Sequence, residues 1–270
     1  MKPDSGKSAD WSMVPQVQRI SWAQECRAAA TDDAVFRTFR QLPTIMHMTE
    51  NRSAAHAVRF WEAAQHIWPV AEYLPALVAA DAIGGPPPER SMRFPNGQEL
   101  SGTTAASALM AAQIIRLFGK GPFQIAEIGG GYGNLAHVLH LMGMVDTYTG
   151  FDLPEPSALR RRFLKAQGWP EPVAPKKRYD LCISAASLSE LTPEARREYG
   201  EHVLAKSDRG FHVWNWGVDE WSGLVADTLR ELQEWNAGAK YCPDIQAASD
   251  RATLLGGGTG VWDGTFCWGM

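Results

Sequence analysis

Through the first third of the chain, apolar residues recur at helical spacing. The stretches are 14–30, 34–42, 54–67 and 70–80, and each is expected to be a helix. The pattern changes after residues 84–98, which hold Gly-Gly-Pro-Pro-Pro and Pro-Asn-Gly. Such clusters mark turns or a linker. A helix is expected from about Thr103 to Phe118, closed by Gly119. Beyond it, short β-rich runs at 123–128, 147–151, 179–184 and 210–216 alternate with amphipathic stretches at 134–142, 156–167, 193–205 and 218–235. That alternation predicts an α/β fold, a parallel sheet with helices on both faces. The expected organisation is a helical N-terminal cap over 1–99 and an α/β domain over 100–270. Thr192-Pro193 marks a helix start, with an N-cap followed by Pro at the first position. Trp221, Leu224, Val225, Leu229, Leu232 and Trp235 form one apolar stripe. In the tail, Asp263-Gly264 is expected to turn a hairpin between 260–262 and 265–268.

Composition narrows the class. Lys and Arg number 26 against 30 Asp and Glu, a net charge of −4, and 45% of residues are hydrophobic. That is too apolar and too weakly charged for a disordered chain. A slight acidic excess gives no electrostatic footprint for a polyanion, so nucleic acid is not an expected partner. The four cysteines, Cys26, Cys182, Cys242 and Cys267, form no C-x-x-C pair and are expected to be reduced thiols of a cytoplasmic protein. The first ten residues are polar and show no signal peptide. The longest apolar stretch, 74–85, is broken by Asp81 and falls short of the roughly 20 residues a membrane span needs.

The candidate chemistry concentrates in Gln124-Ile-Ala-Glu-Ile-Gly-Gly-Gly-Tyr-Gly-Asn-Leu-Ala136, an apolar run that enters glycines and leaves as a helix. Such a turn lets a ligand approach the backbone closely. The dinucleotide fingerprint G-x-G-x-x-G would need Gly or Ala where Asn134 stands. The spacing present is Gly129, Gly131, Gly133, with Glu127 two positions upstream. Asp152 follows the next β-rich run, about 20 residues past the loop, where a carboxylate can accept two ribose hydroxyls. Charge-assisted bonds of that kind contribute about 1.5–3 kcal/mol each. Glu127 at the loop edge suits a cationic group, reached through water or the loop, and would repel a pyrophosphate.

This acid-x-G-x-G-x-G pattern resembles motif I of the class I S-adenosylmethionine-dependent methyltransferases. The longer string Glu127-Ile-Gly-Gly-Gly-Tyr-Gly133 is similar to the signature of the sugar O-methyltransferases within that class. Four further matches accompany it: a helix from Leu100-Ser-Gly-Thr-Thr104 to Leu117-Phe-Gly119, Asp152-Leu-Pro-Glu155, Ser187-Leu-Ser-Glu190, and Asn215. The match spans roughly residues 100–217. It departs at Ala105-Ala106, where the family often has Arg, and residues 1–99 match no family. The resemblance implies a Rossmann-like, mostly parallel seven-stranded sheet and S-adenosyl-L-methionine as cofactor, with S-adenosyl-L-homocysteine as product. The cofactor residues it implies are Glu127, Gly129, Gly131, Tyr132, Gly133, Asp152, Leu153, Ser184 and Ser187. The implied acceptor is a hydroxyl of a sugar or glycosylated small molecule.

Methyl transfer asks the protein to hold the acceptor in line and to take its proton. Glu190 is the first candidate base, although Ser187-x-x-Glu190 also reads as a capping box. Asn215, between Trp214 and Trp216, could bind a substrate hydroxyl or serve as a turn residue. Those two Trp residues could wall an acceptor site, with core packing expected for at least one. His47 could reach in from a lid. His137 and His140 read as helix-surface residues, His202 as lying on a polar helix face and His212 as packed within a strand. Arg160-Arg161-Arg162 and Lys176-Lys177-Arg178 read as solvated faces. No metal site is evident. The expected partner is a small-molecule substrate, and the oligomeric state stays open, a homodimer included. Three alternatives stand beside this reading: a methyltransferase acting on the O, N or C atom of another secondary metabolite, an NAD(P)-dependent oxidoreductase, and a non-catalytic partner subunit.

Overall fold

A computed structural model describes residues 16–169, 175–215, 222–242 and 263–270. Five helices come first: α1 (Gln16–Thr31), α2 (Asp33–Phe36), α3 (Pro43–Met48), α4 (Ala54–Ile67) and α5 (Leu74–Asp81). The 54–67 periodicity gives α4 at the expected bounds. Each of two other expected helices divides. Residues 34–42 form α2 and a 3-10 turn, and 70–80 form a 3-10 turn and α5. The stretch 84–98 is more than a linker, because β1 (Ser91–Arg93) pairs across Pro95-Asn96-Gly97 with β2 (Glu99–Ser101). Helix α6 (Gly102–Phe118) follows directly. The Ser101 side chain accepts from Thr104 N–H at 3.2 Å, and Gly119 ends the helix at φ 83°.

The α/β part runs β3 (Phe123–Ile128), α7 (Asn134–Leu141), β4 (Val145–Phe151), α8 (Pro154–Ala166), β5 (Tyr179–Ala185), α9 (Pro193–His202), β6 (Ser207–Asn215), α10 (Ser222–Trp235), β7 (Lys240–Tyr241) and β8 (Asp263–Trp268). Strand order is β4-β3-β5-β6-β8-β7. The first four are parallel, and β8 runs antiparallel to both β6 and β7. Six strands of this sheet fall among the described residues, against the seven expected. Side chains alternate across it. Ile125, Leu181, Ile183 and Phe211 join a core with α1 and α4–α8. Ala126, Cys182, Trp214 and Phe266 join a second core with α9 and α10. The sheet is thus covered on both faces, the Rossmann-like arrangement expected. The N-terminal helices share the first core, α1 packing on α8 and α4 on α6.

Two expectations about the C-terminal part are corrected. Asp263 and Gly264 do not turn a hairpin. They lie inside β8, paired with Asn215 and Trp214 of β6, so the long strand wins over the local Asp-Gly signal. Cys242 and Cys267 are joined in a disulfide, with Cα atoms 6.6 Å apart. The β7–β8 pairing brings them together from 25 residues apart, which spacing alone does not disclose. Cys26 and Cys182 are free and buried, as expected of reduced thiols. Residues 260–262, with Trp216 and Trp221, lie outside the described residues. No described helix is long and apolar enough to cross a membrane.

Candidate functional site

The strand order reverses direction at β3, with β4 on one side and β5 on the other. A crevice at the carboxyl ends of strands at such a switch point is where open α/β sheets bind ligands. The glycine loop occupies that place. It leaves β3 at Gly129 and enters α7 after Gly133. The loop is packed largely by the chain's own side chains. A Cβ at Gly129 would collide with Ser187, and one at Gly130 would meet the Glu127 carboxylate at 2.5 Å. One at Gly133 would meet Arg160 Cγ at 2.9 Å. Gly131 differs. It shares a positive φ, +54°, with Gly129 and Gly133, but among the described residues a Cβ there would meet only Thr49, at 3.8 Å. The open side of the loop is therefore at Gly131, facing Thr49 after α3.

Asp152 stands just past β4, and its side chain is 2% exposed. Its Oδ2 accepts from Gly131 N–H at 3.0 Å and its Oδ1 from Leu153 N–H at 2.8 Å. Arg160 Nη1 approaches Oδ2 at 3.4 Å. Burial pushes the Asp152 carboxyl above the ordinary range, and Arg160 with the two N–H groups pulls it back. Glu127, also 2% exposed, accepts from Tyr148 Oη at 2.6 Å. Burial raises it too, against Tyr148 and Arg160. Arg160 is therefore not part of a solvated face. The three-arginine run divides by helical geometry. Arg161 is exposed, Arg162 pairs with Asp33 and covers the Phe36 ring, and Arg160 turns inward.

On the other side of the crevice, β5 ends in a tight turn. Ala186 adopts φ 68°, the one non-glycine at positive φ among the described residues. Local strain of that sort marks a place held by its surroundings. Ser184 and Ser187 are buried and bonded to each other at 2.8 Å, and Ser187 also donates to the Ile128 carbonyl. These two hydroxyls brace the turn against Gly129. Glu190 closes the turn. No capping box forms, because the next helix is capped by Thr192, whose Oγ1 accepts from Ala195 N–H at 3.3 Å. The Glu190 carboxylate makes no hydrogen bond or ion pair to the described residues. Burial, then the nearby Asp152 charge, pushes its pKa up to about 7.

The remaining candidates scatter. Tyr132 points away from the crevice, its hydroxyl donating to Glu50 Oε1 at 2.6 Å and its ring edge-on to Phe39 and Phe163. Leu153 contributes its N–H and precedes α8. His47 lies on α3 with its side chain exposed, two residues before the Thr49 that faces Gly131. Asn215 ends β6, and its side chain lies outside the description. Trp214 is core, against Phe266 and under Arg196. His137 is buried, not on the surface. Its Nδ1 accepts from Trp169 Nε1 at 2.8 Å, and burial followed by His140 lowers its pKa to about 4. His212 is fully buried, stacked on Trp268, with its pKa lowered by burial to about 3. No cluster of three His, Cys, Asp or Glu able to hold a metal occurs among the described residues.

Sequence reasoning missed the polar node beneath the loop. Arg40 is fully buried. It donates through Nε and Nη2 to Glu50 at 2.8 and 3.0 Å, and through Nη1 to Asp81 Oδ1 at 2.8 Å and the Asp81 carbonyl at 2.7 Å. A further Nη2 bond reaches Ser101 at 2.7 Å. Glu50 also receives Thr103 and Tyr132, and Asp81 receives Thr104 at 2.5 Å. Asn134, the residue that breaks the dinucleotide pattern, donates to Ser107 at 3.0 Å. Arg40, Glu50 and Asp81, all before α6, thus anchor the loop through the Glu50–Tyr132 bond.

The crevice between Ile128, Gly129, Phe151, Asp152, Leu191 and Tyr199 encloses about 10 Å³, room for about one water.

No family model matches the chain, and no curated protein matches it. Solved structures do. The [4+2]-cyclase SpnF is 16% identical over 80% of this chain and 95% of its own, with a TM-score of 0.42. The 16S rRNA N2 G1207 methyltransferase of T. thermophilus, in complex with AdoMet and guanosine, is 15% identical over 66% of this chain and 49% of its own, with a TM-score of 0.41. Protein 1320 of Thermoplasma acidophilum is 18% identical over 62% and 88%, also at 0.41. Likenesses at this level do not indicate what this chain binds.

Proposed function

We propose that the chain is an S-adenosylmethionine-dependent methyltransferase acting on a hydroxyl of a sugar or glycosylated small molecule. The observation that carries the cofactor reading is the junction of Asp152 with the glycine loop. The carboxylate at the tip of the second strand is held on Gly131 N–H, beside the loop position with open space. The donor set suits this cofactor. Asp152 would take the ribose hydroxyls, the loop from Gly129 to Gly133 would face the amino-acid part, and Glu127 would supply negative charge for the amino group. When bound, the cofactor supplies an electrophilic methyl on a sulfonium. The volume enclosed among the described residues does not accommodate it, so binding requires this crevice, lined by the end of β4, the turn after β5 and Tyr199 of α9, to open.

Glu190 is the proposed general base. A carboxylate without a hydrogen-bond or ion-pair partner among the described residues, with its pKa near 7, both accepts a hydroxyl proton and exists in its basic form at neutral pH. Asn215 would orient the acceptor, and His47 would approach it from α3. The hydroxyl and sugar parts of the proposal rest on the resemblance of residues 100–217. The cap, residues 1–99, is proposed to choose the acceptor, and the protein is proposed to be cytoplasmic without a nucleic-acid partner. Incubation with labelled S-adenosylmethionine and a panel of sugar and glycoside acceptors tests this. Label transfer to a hydroxyl is expected, and transfer only to N or C acceptors contradicts the acceptor assignment. The closed crevice favours one second reading, a cofactor-fold partner subunit without turnover. Binding of S-adenosylhomocysteine with no transfer to any acceptor would support it.

A further inference from the structure

We propose that Arg160 is a positioning residue that fixes the charge and aim of Asp152 and so sets cofactor affinity. This inference rests on the cofactor reading above. The chain makes room for Arg160 with two glycines. A Cβ on Gly150 would lie 2.6 Å from its Cζ, and one on Gly133 would lie 2.9 Å from its Cγ. Any other residue at Gly150 would displace the guanidinium. The group lodged in that slot touches the loop and the strand tip together. Nη1 reaches Asp152 Oδ2 at 3.4 Å and the Gly131 carbonyl at 3.5 Å, and Nη2 donates to Ser157 Oγ at 3.1 Å. Asp152 is thereby held from two sides, by the Gly131 N–H and by the guanidinium, with its Oδ1 carrying a single bond to Leu153 N–H.

The electrostatics agree with the geometry. Among the described residues, around Asp152 stand Cys26 on α1, Glu127 on β3, Tyr148 on β4, Glu190 after β5 and Tyr199 on α9, all neutral or acidic, and Arg160 on α8 is the cation acting on it. Two buried carboxylates flank the loop, and burial raises both. Arg160 opposes that rise at both. Without it, Asp152 would take up a proton at a higher pH and lose its ability to accept two hydroxyls.

Two readouts on the full chain test this. The first is calorimetric titration with S-adenosylhomocysteine between pH 5.5 and 8.5. The second is a carboxyl carbon NMR titration of Asp152, assigned with Asp152→Asn. Arg160→Gln is expected to weaken binding about tenfold at pH 7 and to raise the Asp152 midpoint by about one pH unit. Arg160→Lys keeps the cation but not the planar fork, so it should keep the midpoint near the parental pH while weakening binding less. Arg161→Gln should leave both unchanged. A folded Arg160→Gln chain with parental affinity and parental midpoint overturns the proposal. So does a lysine variant whose midpoint rises as far as the glutamine variant's. If the glutamine variant does not fold, Ser157→Ala carries the test. Freeing Nη2 should weaken binding about threefold, and unchanged affinity overturns the proposal. A parental chain that gives no heat contradicts the cofactor reading instead, while the NMR comparison still decides whether Arg160 holds Asp152.

Discussion

Two buried arginines lie on either side of the glycine loop, and each sits among two carboxylates. Arg40, under the loop, donates to Glu50, Asp81 and Ser101 with every N–H, at distances of 2.7–3.0 Å. Arg160, beside the loop, makes contacts of 3.1–3.5 Å to Asp152, Gly131 and Ser157. The difference is one of saturation. A guanidinium has five donors, and burying it is tolerable only when they are met. Arg40 meets that condition and ties α3, α5, α6 and, through Glu50 and Tyr132, the loop into one rigid unit. Among the described residues, Arg160 leaves hydrogen-bonding capacity on itself and on Asp152, the side of the loop where a ligand would complete the set. The saturated node is read as scaffold and the unsaturated one as site.

The comparison breaks most sharply at Arg40. Arg40→Leu strands Glu50 and Asp81, and a loss of about 3–5 kcal/mol is expected in denaturant unfolding. A loss under about 1 kcal/mol would mean that the node is not scaffold. Glu190→Gln comes next and acts in the opposite sense on stability. The folded-state pKa of Glu190, about 7, lies above its value in the unfolded chain. The native state therefore binds more protons between the two values, and stability falls as pH rises through that window. The glutamine variant should be more stable than the parent by roughly 1–3 kcal/mol at pH 8 and equal to it near pH 4. It should also lose most of its turnover, and the parental rate should rise with pH through about 7. A smaller effect is expected at Tyr132→Phe. Removing the hydroxyl that Glu50 accepts should cost about 1–1.5 kcal/mol of stability and loosen the loop, read as faster amide exchange at Gly131.

Much of the architecture was legible because it follows from which face of an element is apolar. The run 123–128 and the stretch 54–67 became β3 and α4 at those bounds. The glycine loop and Asp152 were legible from spacing, since a strand-turn-helix junction at a switch point needs those residue types in that order, whereas Ser187 came from the family resemblance. The buried charges were not. Arg160 read as part of a solvated face, Asp81 only as a break in an apolar stretch, and nothing in the spacing singles out Arg40 or Glu50. The buried node appears only when the fold brings Arg40 against carboxylates 10 and 41 residues away. The same holds for Cys242 and Cys267, joined through strand pairing, and for β1 and β2, whose Pro- and Gly-rich surroundings read as linker. Glu190 was found for its position, yet the feature that recommends it, the absence of the expected cap, is visible only in the folded chain.

The most direct test is calorimetric titration of the full chain and of Asp152→Asn with S-adenosylhomocysteine at pH 7.5. The account predicts saturable binding by the parent, weakened at least about tenfold in the asparagine variant, from the loss of charge-assisted ribose bonds. No binding by the parent, or equal binding by both chains, would contradict it.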